Sequence, residues 1–175
     1  TAAAMGMALA AHECKTLSQN TQLEYLENAA YTLSHARPTT ASRMELVTGG
    51  CLNAAKRAME AGENASDAIV QHAIAANNLR YDKIRKMAEY LVDMFPNVMT
   101  QCFGETIVGQ MLKVARERKK RIHLFCPETR PYFQGARLTA AVARDMGFDV
   151  TVITDNMPAF VMQNEQIDVF TSAAD

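Results

Sequence analysis

Through the first 95 residues the apolar positions recur at three- and four-residue spacing, among residues that favour helices. Leu23, Leu26, Ala30 and Leu33 show the spacing most clearly, and it puts them on one face of a helix. Arg37-Pro38 interrupts the pattern, because a residue before proline is driven out of the helical region. Gly49-Gly50 predicts a second break and Gly62-Glu-Asn-Ala-Ser66 a third. Ser66 is placed to cap a helix from Asp67 to about Asn77. A last helix is expected from about Tyr81 to Met94, stopped by Phe95-Pro96. Four or five helices joined by short turns make residues 1–95 an N-terminal helical subdomain.

From Asn97 the period changes. Val98–Cys102, Arg121–Cys126, Phe148–Thr154 and Ile167–Thr171 read as short strands. Gly104–Arg118, Gln134–Met146 and Met157 to about Gln163 read as the helices between them. Strands that alternate with helices imply βαβ units and a parallel sheet. The fold class is therefore α/β: the helical subdomain is followed, over residues 96–175, by a Rossmann-like parallel sheet with flanking helices. That sheet reads as incomplete. The opening Thr1-Ala-Ala-Ala-Met resembles the inside of a helix, and the chain stops just after an expected strand, so both ends are expected to be cut. No G-x-G-x-x-G follows any strand, so the usual sign of a dinucleotide site is missing.

Open parallel sheets bind ligands beyond the carboxyl ends of their strands. Residues capable of chemistry follow every strand here. They are Cys102-Phe103-Gly104-Glu105, then Pro127-Glu-Thr-Arg-Pro131 with Gln134-Gly-Ala-Arg137, then Asp155-Asn156-Met157, then Asp175. Taken singly, Asp155-Asn156 reads as a helix cap and Glu128 with Arg130 as a structural ion pair. Their coincidence at one sheet edge marks a site. Cys102 stands out, at a strand-to-helix turn where a helix N-terminus favours a thiolate. Glu105 in the same first turn opposes that effect, so the residues leave the sign open.

Composition narrows the class further. The 175 residues carry 18 Lys+Arg against 19 Asp+Glu, a net charge of −1. A general nucleic-acid binder would show a basic footprint, so no nucleic-acid partner is expected. No apolar run approaches the ~18 residues of a membrane span, and no basic segment leads into an apolar one as in a signal peptide. The four cysteines include no C-x-x-C pair and the four histidines are scattered, so no metal site is expected. Unpaired cysteines suit a reducing cytoplasm, and each reads first as a small buried hydrophobe.

In order along the chain, Arg37-Pro-Thr39, Pro127-Glu-Thr-Arg-Pro131, Gln134-Gly-Ala-Arg-Leu-Thr-Ala140, Thr154-Asp-Asn-Met157 and Ser172-Ala-Ala-Asp175 closely resemble the methylthioribose-1-phosphate isomerase family. Its superfamily also holds ribose-1,5-bisphosphate isomerases and the regulatory subunits of translation initiation factor 2B. Glu-Thr-Arg-Pro is shared across the superfamily. The Gln-Gly-Ala-Arg and Asp-Asn-Met stretches, with Cys102 and Asp175, point to the isomerase branch. The resemblance implies a cofactor-independent aldose–ketose isomerase of a 5-modified ribose 1-phosphate, as in methionine salvage. It implies Cys102 and Asp175 as catalytic residues, Asp175 being the general acid, and Arg37 and Gln134 as substrate-binding residues. It also implies a sugar phosphate as ligand, no cofactor, and a homodimer in the cytoplasm. Thr100-Gln-Cys-Phe-Gly-Glu105 departs from the family's Thr-x-Cys-Asn-Ala-Gly. A 5-deoxyribose-1-phosphate isomerase would fit that change. The alternative is a non-catalytic initiation-factor-2B-like subunit that binds a nucleotide or sugar phosphate.

Overall fold

A computed structural model describes residues 2–37 and 40–172. It divides into two units, and the division falls between Leu79 and Arg80, inside a helix and upstream of the change of period near residue 96.

The first unit is helical: α1 (Ala2–Cys14), α2 (Gln19–His35), α3 (Ala41–Glu60) and the first half of α4 (Ala65–Met94). Its core joins Ala4, Met7, Ala8 and Ala11 of α1 to Leu26 and Ala30 of α2, Cys51 and Ala55 of α3, and Ile69 of α4. Alanine on so many facing positions lets the backbones approach closely. The longer Met7, Leu26 and Ile69 are fully buried and contribute about 1.5–3 kcal/mol each. Ser18 caps α2, its side chain accepting from the Thr21 amide.

Three sequence expectations are corrected here. Gly49-Gly50 does not break α3, which runs unbroken from Ala41 to Glu60. A helical glycine costs about 1 kcal/mol relative to alanine, and packing outweighs that cost. A Cβ on Gly50 would lie 2.7 Å from His72 Nε2, so the bare backbone admits that ring. The cap at the start of α4 is Asn64, not Ser66. Asn64 Oδ1 accepts from the amides of Ser66 (2.9 Å) and Asp67 (3.2 Å), while Ser66 Oγ donates to the Ala8 carbonyl at 2.9 Å. Finally, the helices expected at 67–77 and 81–94 are one 30-residue helix. Asn77-Asn78 is a weak helical pair, but nothing there forbids a helix as proline would.

The second unit holds the rest of α4 and a four-stranded, wholly parallel sheet in the order β3-β2-β1-β4. The strands are β1 (Asn97–Thr100), β2 (His123–Pro127), β3 (Asp149–Ile153) and β4 (Val169–Thr171). Between them lie α5 (Glu105–Glu117), a wide π turn (Gly135–Thr139) continuing into α6 (Ala140–Asp145), and α7 (Pro158–Asn164). Val98 pairs with Leu124 on one side and Val169 on the other, and Leu124 with Val150.

Successive strand residues face opposite sides, and both sides are buried. Val98, Leu124 and Cys126 pack with Val92 of α4, Leu112 of α5 and Ala143 of α6. Met99, Phe125 and Ile153 pack with Val161 of α7. Sheets covered on both faces are the setting of doubly wound α/β proteins. Asn97 and Asp168 fix the entry to the sheet. Asp168 Oδ2 accepts from the Asn97 backbone amide (2.8 Å) and side chain (3.0 Å), and the Asp168 amide donates to the Asn97 carbonyl at 2.9 Å.

Candidate functional site

The strands of the second unit deliver three loops to one edge. β1 runs out through Gln101 into Cys102, which is half-buried and left-handed at φ +57°. β2 runs out into Glu128–Gln134, with Thr129 at φ +61° and Phe133 at φ +57°. A positive φ on a β-branched residue such as Thr129 is a genuine outlier, sustained only by fixed partners. β3 runs out into Thr154-Asp155-Asn156.

Asp155 supplies those partners. Its Oδ1 accepts from the Thr129 amide and its Oδ2 from the Arg130 amide, both at 2.7 Å. Charge-assisted bonds to amides are the strong class. The sequence reading of Asp155 as a helix cap is thus corrected: α7 begins after Met157, and Asp155 caps the neighbouring loop. Glu128 and Arg130 do approach, at 3.9 Å, and the Arg130 guanidinium lies 4.9 Å from the Phe133 ring centroid. Their pairing is loose.

Cys102 is tied to the loop after β2 and to the π turn that follows it. Its amide donates to Thr129 Oγ1 (3.2 Å) and its carbonyl accepts from Thr139 Oγ1 (2.6 Å). Thr139 closes the π turn, in which the Ala140 amide reaches back five residues to the Gly135 carbonyl. Gln134 stands just before that turn, and its Oε1 is buried without a hydrogen-bond partner. A buried acceptor left unpaired costs about 1–3 kcal/mol. A cleft of about 370 Å³ opens beside Thr129, with Asp155 and Arg130 on its polar side and Pro158, Met162 and Phe170 on its apolar side.

Of the residues expected from the sequence, Cys102 and Gln134 therefore reach the same loop cluster. Arg37 is an exposed residue of the first unit, following α2. Asp175 lies outside the described residues, as do Pro38 and Thr39. Sequence reasoning missed the hydroxyls of Thr129 and Thr139 as the partners of the Cys102 backbone. Their only signal was their place in the Glu-Thr-Arg-Pro and Gln-Gly-Ala-Arg-Leu-Thr stretches. The other cysteines are buried, and burial pushes the thiols of Cys14 and Cys51 up and that of Cys126 up to about 12. Cys102 is the one partly exposed thiol among the described residues. Among the same residues no group of three His, Cys, Asp or Glu converges as a metal site, and no helix is long and apolar enough to cross a membrane.

A parallel sheet covered on both faces, with polar loops gathered beyond its carboxyl ends, defines a Rossmann-like α/β protein, the class in which ligands bind at that edge. The sequence matches the initiation factor 2 subunit family over residues 1–173, and the chain belongs to that family. It is 31% identical over 186 residues to a methylthioribose-1-phosphate isomerase of Desulforamulus reducens, covering 99% of this chain and 53% of the relative. It is 34% identical over 194 residues to one of Fervidobacterium nodosum, covering 99% and 52%. The chain thus spans about half the length of the curated relatives it matches. Among solved structures, the 5-methylthioribose 1-phosphate isomerase of Pyrococcus horikoshii superposes with a TM-score of 0.74 at 31% identity, over 99% of this chain and 51% of that one. A translation initiation factor 2B delta subunit from A. fulgidus superposes with a TM-score of 0.72 at 30% identity, over 99% and 54%.

Proposed function

We propose that the full chain is a cofactor-independent aldose–ketose isomerase. Its substrate would be a 5-modified ribose 1-phosphate, either 5-methylthioribose 1-phosphate or 5-deoxyribose 1-phosphate, and its product the ribulose 1-phosphate. The observation that carries the reading is Cys102. It is a partly exposed thiol in a left-handed turn beyond the carboxyl end of β1, in a chain about one-third identical to proteins named methylthioribose-1-phosphate isomerase.

The chemistry asks for these residue types. In an aldose 1-phosphate the anomeric oxygen is esterified, so the ring cannot open as a free hemiacetal does. An acid must protonate the ring oxygen, the role of Asp175 in this reading. As the bond from C1 to the ring oxygen breaks, the hydrogen on C2 moves to C1 and the C2 hydroxyl gives up its proton to become the ketone, which returns the proton used on the ring oxygen; Cys102 serves as the base or stabilises the transition state. Arg37 and Gln134 hold the substrate, the guanidinium by charge-assisted bonds to phosphate. A homodimer formed through the second unit belongs to the same reading. So do residues 1–95 and 96–175 as a helical subdomain and a Rossmann-like α/β domain.

Proton NMR of the full chain with 5-methylthioribose 1-phosphate, 5-deoxyribose 1-phosphate and ribose 1,5-bisphosphate tests the proposal. Conversion of either of the first two to its ketose is expected, and their relative rates name the substrate. Conversion of none of the three, at protein concentrations near the substrate's, overturns it. The likeness to the A. fulgidus factor subunit makes a non-catalytic subunit that binds a nucleotide or sugar phosphate the second reading. It takes over if this chain binds such a ligand without turnover.

A further inference from the structure

Cys102 sits at φ +57°, a left-handed region that strains any residue with a Cβ. Such a conformation persists where its surroundings over-determine it. Here both backbone polar groups of the residue are taken by threonine hydroxyls from different segments. On one side the Cys102 amide donates to Thr129 Oγ1 at 3.2 Å, and that hydroxyl spends its own hydrogen on the Pro127 carbonyl at 3.2 Å. The direction of both bonds is thereby fixed, from amide to hydroxyl to carbonyl. On the other side Thr139, only 1% exposed, donates to the Cys102 carbonyl at 2.6 Å. Burial of Thr139 leaves no water to take over that bond. Thr129 is itself pinned through its amide by Asp155 at 2.7 Å, so its end of the arrangement does not drift.

We propose that Thr129 and Thr139 are positioning residues that clamp the backbone of Cys102 from both sides and so set the bearing of its thiol. The part of this inference that concerns turnover rests on the isomerase reading; the clamp itself does not. Valine at either position keeps the shape and removes the hydroxyl, whereas serine keeps the hydroxyl.

The test reads the thiol directly. Iodoacetamide labelling of Cys102 in the substrate-free full chain is followed across pH by peptide mass spectrometry. Thr139→Val is expected to speed labelling about tenfold, as befits one lost buried hydrogen bond, and Thr139→Ser to stay within about twofold of wild type. In turnover, Thr139→Val should lower kcat about tenfold and leave KM within about twofold, with Thr139→Ser restoring kcat. Thr129→Val and Thr129→Ser repeat the contrast at the amide, and decide the matter where Thr139→Val does not fold. Labelling left unchanged by valine, or moved equally by valine and serine, overturns the clamp whatever the turnover. Clamp-dependent labelling in a protein that converts no sugar phosphate upholds the clamp and overturns the isomerase reading.

Discussion

Gly135 lies against the Pro127 carbonyl so closely that a Cβ on it would overlap that oxygen. The oxygen is backbone at the end of β2 and has no rotamer to escape through. The contact also brings the first residue of the π turn within reach of Thr129, whose Oγ1 would lie 3.0 Å from the same Cβ. Gly135→Ala should therefore cost about 3 kcal/mol or more, the upper end for overpacking. The denaturant midpoint is expected to fall with an unchanged slope.

The two glycines inside α3 should behave oppositely. Nothing lies within 4 Å of a Cβ on Gly49, whereas one on Gly50 meets His72 Nε2 at 2.7 Å. Gly49→Ala should raise stability by about 0.5–1 kcal/mol through helix propensity alone. Gly50→Ala must first displace the His72 ring and should fall short of that gain. Thermal melts of the two variants side by side decide the point.

Asp155 satisfies two amides with two oxygens, each at 2.7 Å. Asp155→Asn keeps the shape but turns one acceptor into a donor facing an amide. A loss of about 1–2 kcal/mol is expected, together with faster amide exchange at Thr129 and Arg130. Exchange that stays at the wild-type rate would show that the loop holds without the carboxylate.

Gln134 carries the opposite kind of signature, a buried Oε1 with no partner. Removing the unpaired acceptor should relieve a cost. Gln134→Met is expected to stabilise the protein by about 1 kcal/mol while turnover on a sugar phosphate falls at least about tenfold. A variant that is stabilised and fully active would separate Gln134 from substrate binding.

Cys126 makes a pH prediction. Burial pushes its thiol from 9.0 to about 12. The folded chain therefore keeps the proton that the unfolded chain releases. That stabilisation is complete below about pH 9 and is lost progressively as pH rises towards about 12. Stability measured by urea at pH 7.5 and pH 10 should fall less steeply in Cys126→Ala than in wild type. The buried Cys14 and Cys51, pushed up in the same direction, add smaller slopes that both proteins share.

The sheet was legible because its alternation is written locally. The shift from helical to strand period near Asn97, and the order of strands and helices beyond it, depend on neighbours a few residues apart. The ends of these elements moved by only a residue or two. What failed depended on distant partners. Gly49-Gly50 reads as a break until His72 is placed beside Gly50. Ser66 and Asn64 are both good caps, and only the Ala8 carbonyl draws Ser66 away. At the site, Cys102 and Gln134 could be singled out by position in the chain. The partners of the Cys102 backbone come from 27 and 37 residues away, a separation that no local pattern records.

The π turn at Gly135–Thr139 holds one residue more than an α-helical turn would. Deleting any one of the five would give a smoother helix and, on the scale of backbone energy alone, a better one. Everything on the Gln134 side would then rotate by about 100° about the helix axis relative to α6. Gln134 would swing off its present bearing, and Gly135 would carry its bare face away from Pro127. Apart from Gly135 and Thr139, whose contacts are specific to the residue, this stretch should thus accept changes of letter far more readily than a change of count. In a collection of random variants it would stand out as a place where shortening by one residue is punished more severely than most substitutions.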